Sequence, residues 1–271
     1  MIEGITSKME QLRNGYFQAG TGPEKILILG SCRTLALTNY LDCFNRRFGN
    51  PFTIYRIDPH DFHWNAQDER VDIEAAVAAQ ERNPHLLNML HSTPIFIHEH
   101  LRYYGMFNTS RDVPKNIWQF GIAPRLDICL PNWHDRFVLF KDQLSSDTVL
   151  QQRMQANGLT AELSCLMKER GLAALDKFYG ICRLTSFPEM ADQFKEWWTR
   201  KRFFWTGNHV SRHFTLYLFH QINERFLHLS WDEAFRRAIE AQDLFSQPHT
   251  PMTRSDVDAY GLKWDEPIKP I

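Results

Sequence analysis

The sequence has no uninterrupted apolar run approaching the roughly 20 residues that a bilayer core requires, and Met1 to Gln18 is polar and charged where a secretory leader would be apolar. A cytoplasmic protein with no membrane insertion is expected. Cysteine is scarce: Cys32, Cys43, Cys129, Cys165 and Cys182 are an odd number, widely scattered, with no Cys-x-x-Cys pair. That spacing argues against a disulfide framework and a structural zinc knot, so each is read as a free thiol. An excess of either charge is also missing. Lys plus Arg (31) nearly balances Asp plus Glu (32), so no global field draws the chain onto nucleic acid or anionic lipid. Any anionic partner must be held by a local cluster. Internal repeats, low-complexity segments and linkers long enough to separate independent domains are absent as well.

What is present is strand and helix patterning in two styles. Lys25-Ile26-Leu27-Ile28-Leu29 is a short continuous apolar run stopped by Gly30, the pattern of a central parallel strand covered on both faces. Apolar positions Leu35, Leu37, Leu41 and Phe44 then predict a helix over 34–48, ended by Gly49-Asn50-Pro51. Phe52 to Ile57 reads as a second strand, which makes a βαβ unit. Helical stretches over 72–81 and 85–90 precede a third strand, Pro94 to His98, and Leu126 to Leu130 resembles a fourth. The long loop after the third strand carries Tyr103, Tyr104, Asn108 and Arg111, and loops of that length at strand ends are more often functional than idle. From Ser146 the character changes. Helices are predicted over 148–155, 161–170, 188–202 and 209–226, with Gly158, Gly171 and Gly207 between them. The division expected is an α/β sheet portion over 1–145 and a mostly helical portion over 146–271 packed against it.

The strongest chemical signal is Gly30-Ser31-Cys32-Arg33, because the carboxyl end of a strand facing a helix N-terminus is where open α/β sheets bind ligands. At such a junction the partial positive charge and free N–H groups of the helix start favour a thiolate at Cys32 and can bind an oxyanion. Gly30 permits close approach, and Arg33 offers a guanidinium. The competing reading is a packed, inert cysteine, which is also the reading for Cys43, Cys165 and Cys182. A thiol nucleophile needs a base. The candidate is His209, in Trp205-Thr206-Gly207-Asn208-His209, where Asn208 reads as an N-cap and His209 as a first-turn residue of a helix whose stripe is Val210, Phe214, Leu218 and Ile222. The alternative is a plain cap with a solvated histidine.

Other clusters read as structure first. His209 with His213, His60 with His63, and His98-Glu99-His100 have partial metal spacings, but none completes His-Glu-x-x-His, and no metal is expected. The Gly30 turn also lacks the dinucleotide and P-loop fingerprints. Arg200, Lys201 and Arg202 beside Trp197, Trp198 and Trp205 are a solvated helix end or a holder of nucleotide phosphate. Aromatics in polar contexts, such as Phe62-His63-Trp64 and Asn132-Trp133-His134, are core by default and pocket walls in the alternative.

An early apolar strand ending in Gly30-Ser31-Cys32-Arg33, a mixed sheet, a helical second half and the later Gly207-Asn208-His209 together resemble the capsular-polysaccharide biosynthesis proteins of the WcbI type. The likeness is densest over 25–40 and extends to 205–213, with Ser31 and Arg33 standing where members of that family tend to have Asn and Gln. The resemblance implies an α/β fold with a mainly parallel sheet and flanking helices, similar to SGNH-type hydrolases or flavodoxin, plus a predominantly helical C-terminal half. It implies coenzyme A or its acetyl thioester as acyl donor and a sugar or polysaccharide-precursor hydroxyl as acceptor. Cys32 and His209 would be catalytic, and Gly30, Ser31, Arg33, Asn208 and Arg212 would hold the coenzyme. Two alternatives stay open: a thiol-dependent SGNH-like esterase, and a non-catalytic nucleotide- or glycan-binding protein. It also stays open whether Cys32 attacks covalently or only lines the site.

Overall fold

The computed structural model describes residues 10–11, 17–30, 32–57, 64–65, 70–71, 93–99, 125–131, 147–203, 211–241, 252–265 and 268. The chain is an α/β protein of two compact units. One takes 1–130, 184–186 and 215–245; the other takes 131–183, 187–214 and 246–271.

The first unit is built on a mixed six-stranded sheet. Its strands are β1 (Glu10–Gln11), β2 (Phe17–Ala19), β3 (Glu24–Leu29), β4 (Phe52–Ile57), β7 (Ile95–Glu99) and β8 (Leu126–Leu130), while β5 (Trp64–Asn65) and β6 (Arg70–Val71) form a separate antiparallel pair. The order is β1-β2-β4-β3-β7-β8. The four strands from β4 to β8 run parallel, and β2 and β1 add antiparallel beyond β4. Counted along the chain, the parallel strands lie in the order 2-1-3-4, so the winding reverses between β3 and β7. Strands β4, β7 and β8 fall where the apolar runs predict. The polar N-terminal stretch carries no strand signal; Phe17–Ala19 pairs only because the edge of β4 is there to receive it.

Helix α1 (Cys32–Arg47) joins β3 to β4. Ile26, Leu27, Ile28 and Leu29 are buried, as are Ala36, Leu37, Tyr40, Leu41 and Phe44 of the helix. Each such aliphatic side chain contributes roughly 1.5–3 kcal/mol by leaving water. The helix ends at a clamp rather than by glycine alone. Asn45 Nδ2 donates to the Phe52 carbonyl (2.7 Å), and the Phe52 N–H donates to Asn45 Oδ1 (2.8 Å), tying the helix end to the start of β4. In the numbering of the described helices, α5 (Arg212–Ile222) enters this unit from Thr215 and runs into a π turn at Asn223–Leu227, and α6 (Glu233–Glu240) follows. Their aromatics meet α1: Tyr40 stacks on Phe219 (5.6 Å) and Phe44 meets Phe235 edge-on (5.9 Å).

The second unit, among described residues, holds α2 (Thr148–Asn157), α3 (Ala161–Arg183), α4 (Met190–Trp197) and α7 (Arg254–Tyr260). Helix α3 corrects an expected break, since it runs unbroken past Gly171. Its buried positions Leu163, Met167, Gly171, Leu175, Phe178 and Cys182 keep one stripe. Burial of that stripe outweighs the roughly 1 kcal/mol that a mid-helix glycine costs. Helix α4 is shorter than the periodicity over 188–202 predicts, because Arg202 and Phe203 leave the helix to be buried. The core here is aromatic: Phe194 lies 4.7 Å from Phe178 and 4.6 Å from Phe203, ring centre to ring centre. The helices predicted over 72–81 and 85–90 lie outside the described residues.

Candidate functional site

Strand β3 delivers Gly30 to the reversal point of the sheet, and α1 opens at Cys32. The predicted strand-to-helix turn therefore stands at the carboxyl ends of the parallel strands, at the place where doubly wound sheets form ligand crevices. Ser31 and the side chains of Cys32 and Arg33 lie outside the described residues.

The surroundings of the turn hold two residues that motif reading passed over. Register places Arg56 and Ile97 opposite Ile28, so Gly30, Arg56 and Glu99 fall on the face of the sheet that α1 covers. Arg56 is 5% exposed and Glu99 1%. The Arg56 guanidinium donates through Nη2 to the Gly30 carbonyl (3.2 Å) and through Nε to Thr34 Oγ1 (3.3 Å), while lying over the Phe17 ring (5.6 Å). It thus grips the chain two residues before and two residues after Cys32. Glycine is required at position 30 by close approach. A Cβ there would sit 2.3 Å from Thr34 Cγ2 and 3.0 Å from Cγ and Cδ of Glu99. The signal available in the sequence was a charged residue ending each apolar strand, Arg56 in Tyr55-Arg56-Ile57 and Glu99 after Ile95-Phe96-Ile97-His98.

On the other face of the sheet His98 is buried, its ring stacked on Phe96 at 4.9 Å. Nε2 lies 3.0 Å from Asp127 Oδ1 and Nδ1 lies 3.1 Å from the Glu99 carbonyl. Both ring nitrogens thus lie within hydrogen-bond distance of a protein oxygen. This histidine is engaged within the protein, and among the described residues no group of three or more His, Cys, Asp or Glu is arranged to hold a metal ion.

The remaining thiols separate by environment. Cys43, Cys129, Cys165 and Cys182 are in no disulfide. Burial pushes the Cys43 thiol up to about 12 and Cys182 upward as well, which keeps both protonated and unreactive. Cys165 is exposed. At the end of α4 the basic and aromatic residues include buried Arg202. Trp264 donates from Nε1 to the Trp198 carbonyl (2.8 Å), and the guanidinium of Arg202 lies over the Trp264 ring at 4.7 Å.

Asn208 and His209 lie outside the described residues, as do Tyr103, Tyr104, Asn108, Arg111 and the remaining metal-candidate histidines except half-buried His213. Helix α5 opens at Arg212, which is half-buried. Non-helical Ser211 precedes it, with its N–H bonded to the Phe203 carbonyl (2.8 Å) and its hydroxyl to the Arg202 carbonyl (2.6 Å). Among the described residues the structure brings together Gly30, Thr34, Arg56 and Glu99 beside the start of α1. The pairing of Cys32 with His209 rests on the sequence.

No family model matches the chain, and no curated protein matches it. Among solved structures the chain is similar to WcbI, described as a polysaccharide biosynthesis enzyme, in its native form without a disulfide bond between coenzyme A and a cysteine of that protein. The two share 12% identity at a TM-score of 0.40, over 82% of this chain and 75% of that one. The relationship is a remote structural one and assigns no residue a role. Among the described residues no helix is long and apolar enough to cross a membrane.

Proposed function

We propose that the protein transfers an acyl group, acetyl in the simplest case, from a coenzyme A thioester to a sugar hydroxyl at the Cys32 turn, within an SGNH-like sheet. One observation carries the reading: Cys32 is the first residue of α1, two residues beyond the buried Gly30 that ends a central parallel strand at the reversal of strand order. The choice of coenzyme A and of a carbohydrate acceptor comes from the resemblance over 25–40 and 205–213. In this reading the Cys32 thiolate attacks the acyl carbonyl, the thioester bond to coenzyme A breaks, and the acyl group passes to Cys32. Free N–H groups at the start of α1 bind the oxyanion. His209 then takes the proton of the acceptor hydroxyl as that oxygen attacks the acyl-cysteine, and Cys32 leaves as thiolate. Gly30, Ser31, Arg33, Asn208 and Arg212 hold the donor.

Release of free coenzyme A from its acetyl thioester, with and without sugar acceptors, tests this. Acceptor-dependent release that Cys32→Ala lowers at least about a thousandfold is expected, and adding His209→Ala should then cost little more, because residues acting as a unit are non-additive. Release without acceptor would mark a thiol-dependent esterase. Ligand-dependent thermal stabilisation without any turnover would mark a nucleotide- or glycan-binding protein, and full transfer by Cys32→Ala would move the chemistry to direct attack by the acceptor.

A further inference from the structure

The basic residues at the end of α4 have no part in the reaction proposed above, yet their backbone frame is fixed. The N–H groups of Arg200 and Lys201 both donate to the Trp197 carbonyl (2.8 and 2.9 Å). The Lys263 N–H donates to the Thr199 carbonyl (2.7 Å) and Trp264 Nε1 to the Trp198 carbonyl (2.8 Å), which lays the stretch after α7 against that turn. Arg200, Lys201 and Lys263, from two distant segments, therefore stand on one ledge of the helical unit, and all three are exposed. Over 196–202 and 261–265 four cations stand against two carboxylates, Glu196 and Asp265, in a chain whose net charge is -1. The aspartates of α4 and α7 are engaged elsewhere: Asp192 with Arg183 (3.9 Å), Asp258 with Arg254 (3.4 Å), and Asp256 in the capping box. None of the ion pairs described in the helical unit includes Arg200, Lys201 or Lys263. Cations suit the C-terminal dipole of a helix. That accounts for Arg200 and Lys201 but not for Lys263, which follows α7.

We propose that this ledge binds an anionic glycan, a chain of sugars that each carry a carboxylate. The glycan class rests on the sugar-acceptor reading above, and the ledge adds its charge. Open, exposed cations suit an extended polymer passing over the surface. Duplex nucleic acid carries one charge per roughly 1.7 Å, and a chain without cationic excess offers so dense a polyanion no wider field. A few cations on a short ledge match a more sparsely charged partner. Trp264 is half-buried, with its N–H spent on the Trp198 carbonyl and the Arg202 guanidinium over its ring (4.7 Å). It adds a fixed apolar surface beside the charges, as the C–H faces of sugars require.

Biolayer interferometry of the full chain on immobilised polygalacturonate, without coenzyme A and over a range of salt concentrations, tests this. Saturable binding that weakens as salt rises is expected, with neutral dextran not held. Arg200→Gln, Lys201→Gln and Lys263→Gln combined should weaken binding at least about tenfold and flatten its salt dependence, because fewer counterions are released. Arg200→Lys with Lys263→Arg keeps the charge and should stay near the parent. Lys263→Gln alone should cost more than Lys168→Gln, which removes an exposed lysine of α3. No binding, a triple variant that binds like the parent, or equal losses in the two single variants overturns the proposal. Tighter binding to duplex DNA or to phosphatidylglycerol vesicles than to polygalacturonate overturns it as well. Should the triple variant melt well below the parent, the decision passes to the two single variants. Failure here leaves acyl transfer standing, whereas acetyl-coenzyme A turnover that no sugar accelerates would sink the transfer reading and leave binding at the ledge to be judged on its own.

Discussion

The two units solve burial differently. The sheet unit buries Asp42 on α1 and Arg56, His98 and Glu99 on its strands, and the last three stand at the carboxyl ends of β4 and β7. In the helical unit two of the buried polar side chains, Thr253 and Asp256, close a capping box on α7, and the buried Ser211 hydroxyl donates to the Arg202 carbonyl. Arg202 is buried there as well, and it lies over the Trp264 ring. Buried charge is costly, and a fold keeps it where it is matched or used. The contrast separates a unit whose buried arginine, histidine and glutamate stand at the carboxyl ends of its strands from a unit whose buried carboxylate closes a helix start.

The sharpest way to break that contrast is to attack the aromatic core of the helical unit. Phe178 is 1% exposed and sits 4.7 Å from Phe194 and 6.1 Å from Phe214. Phe178→Ala should cost about 3–5 kcal/mol in urea denaturation. A loss below about 1 kcal/mol would show that this packing is not what holds the unit.

Next in size is Gly30→Ala in the sheet unit. The added methyl meets Thr34 Cγ2 at 2.3 Å, so a penalty of about 1–3 kcal/mol is expected from overpacking. Thr34→Ser removes that methyl and should restore part of the stability when combined with Gly30→Ala. Calorimetric melting of the three variants reads the effect, and a Gly30→Ala protein as stable as the parent would mean the turn is loose.

The smallest effect is shared by the units and comes from their caps. Asp147 caps α2 by accepting from the N–H groups of Val149 and Leu150, and Asp232 caps α6 by accepting from Phe235. These bonds, with Arg170 and Arg47 alongside, hold both carboxyls below the usual range, and the Arg236 and Arg237 guanidiniums hold Glu233 at about 2. A carboxyl whose folded value is depressed stabilises the fold above its unfolded value and loses that contribution as pH falls through the folded one. Melting temperature should therefore decline from about pH 4 downward. Burial lowers His220, which prefers its neutral form when folded, so it adds a decline of the same sign as pH drops below about 6.5. Asp147→Asn and Asp232→Asn should each flatten the acid limb, and an unchanged limb in both would assign acid lability to other groups.

Much of the fold was legible because its signals are local. A run such as Ile26-Leu27-Ile28-Leu29 has few alternatives to a covered strand, and the Gly30 stop with helical spacing after it fixes α1 within about two residues. The strands at 52–57 and 126–130 were readable on the same ground. Of the candidate site, the turn itself was visible. Its charged root was not, because Arg56 and Glu99 are 43 residues apart and each alone is an ordinary strand-end polar residue.

By itself, then, the sequence determined the identity and approximate limits of the main strands and helices, and the placing of Cys32 at a strand-to-helix turn, since these follow from side-chain pattern and turn chemistry within a few residues. Tertiary structure decided the rest. Long-range pairing put β3 between β4 and β7 and so created the reversal point. Packing carried α3 through Gly171 by burying its stripe, and edge pairing made a strand of Phe17–Ala19. Only the alignment of neighbouring strands, a property of the sheet and not of any segment, set a buried arginine and a buried glutamate beneath one glycine.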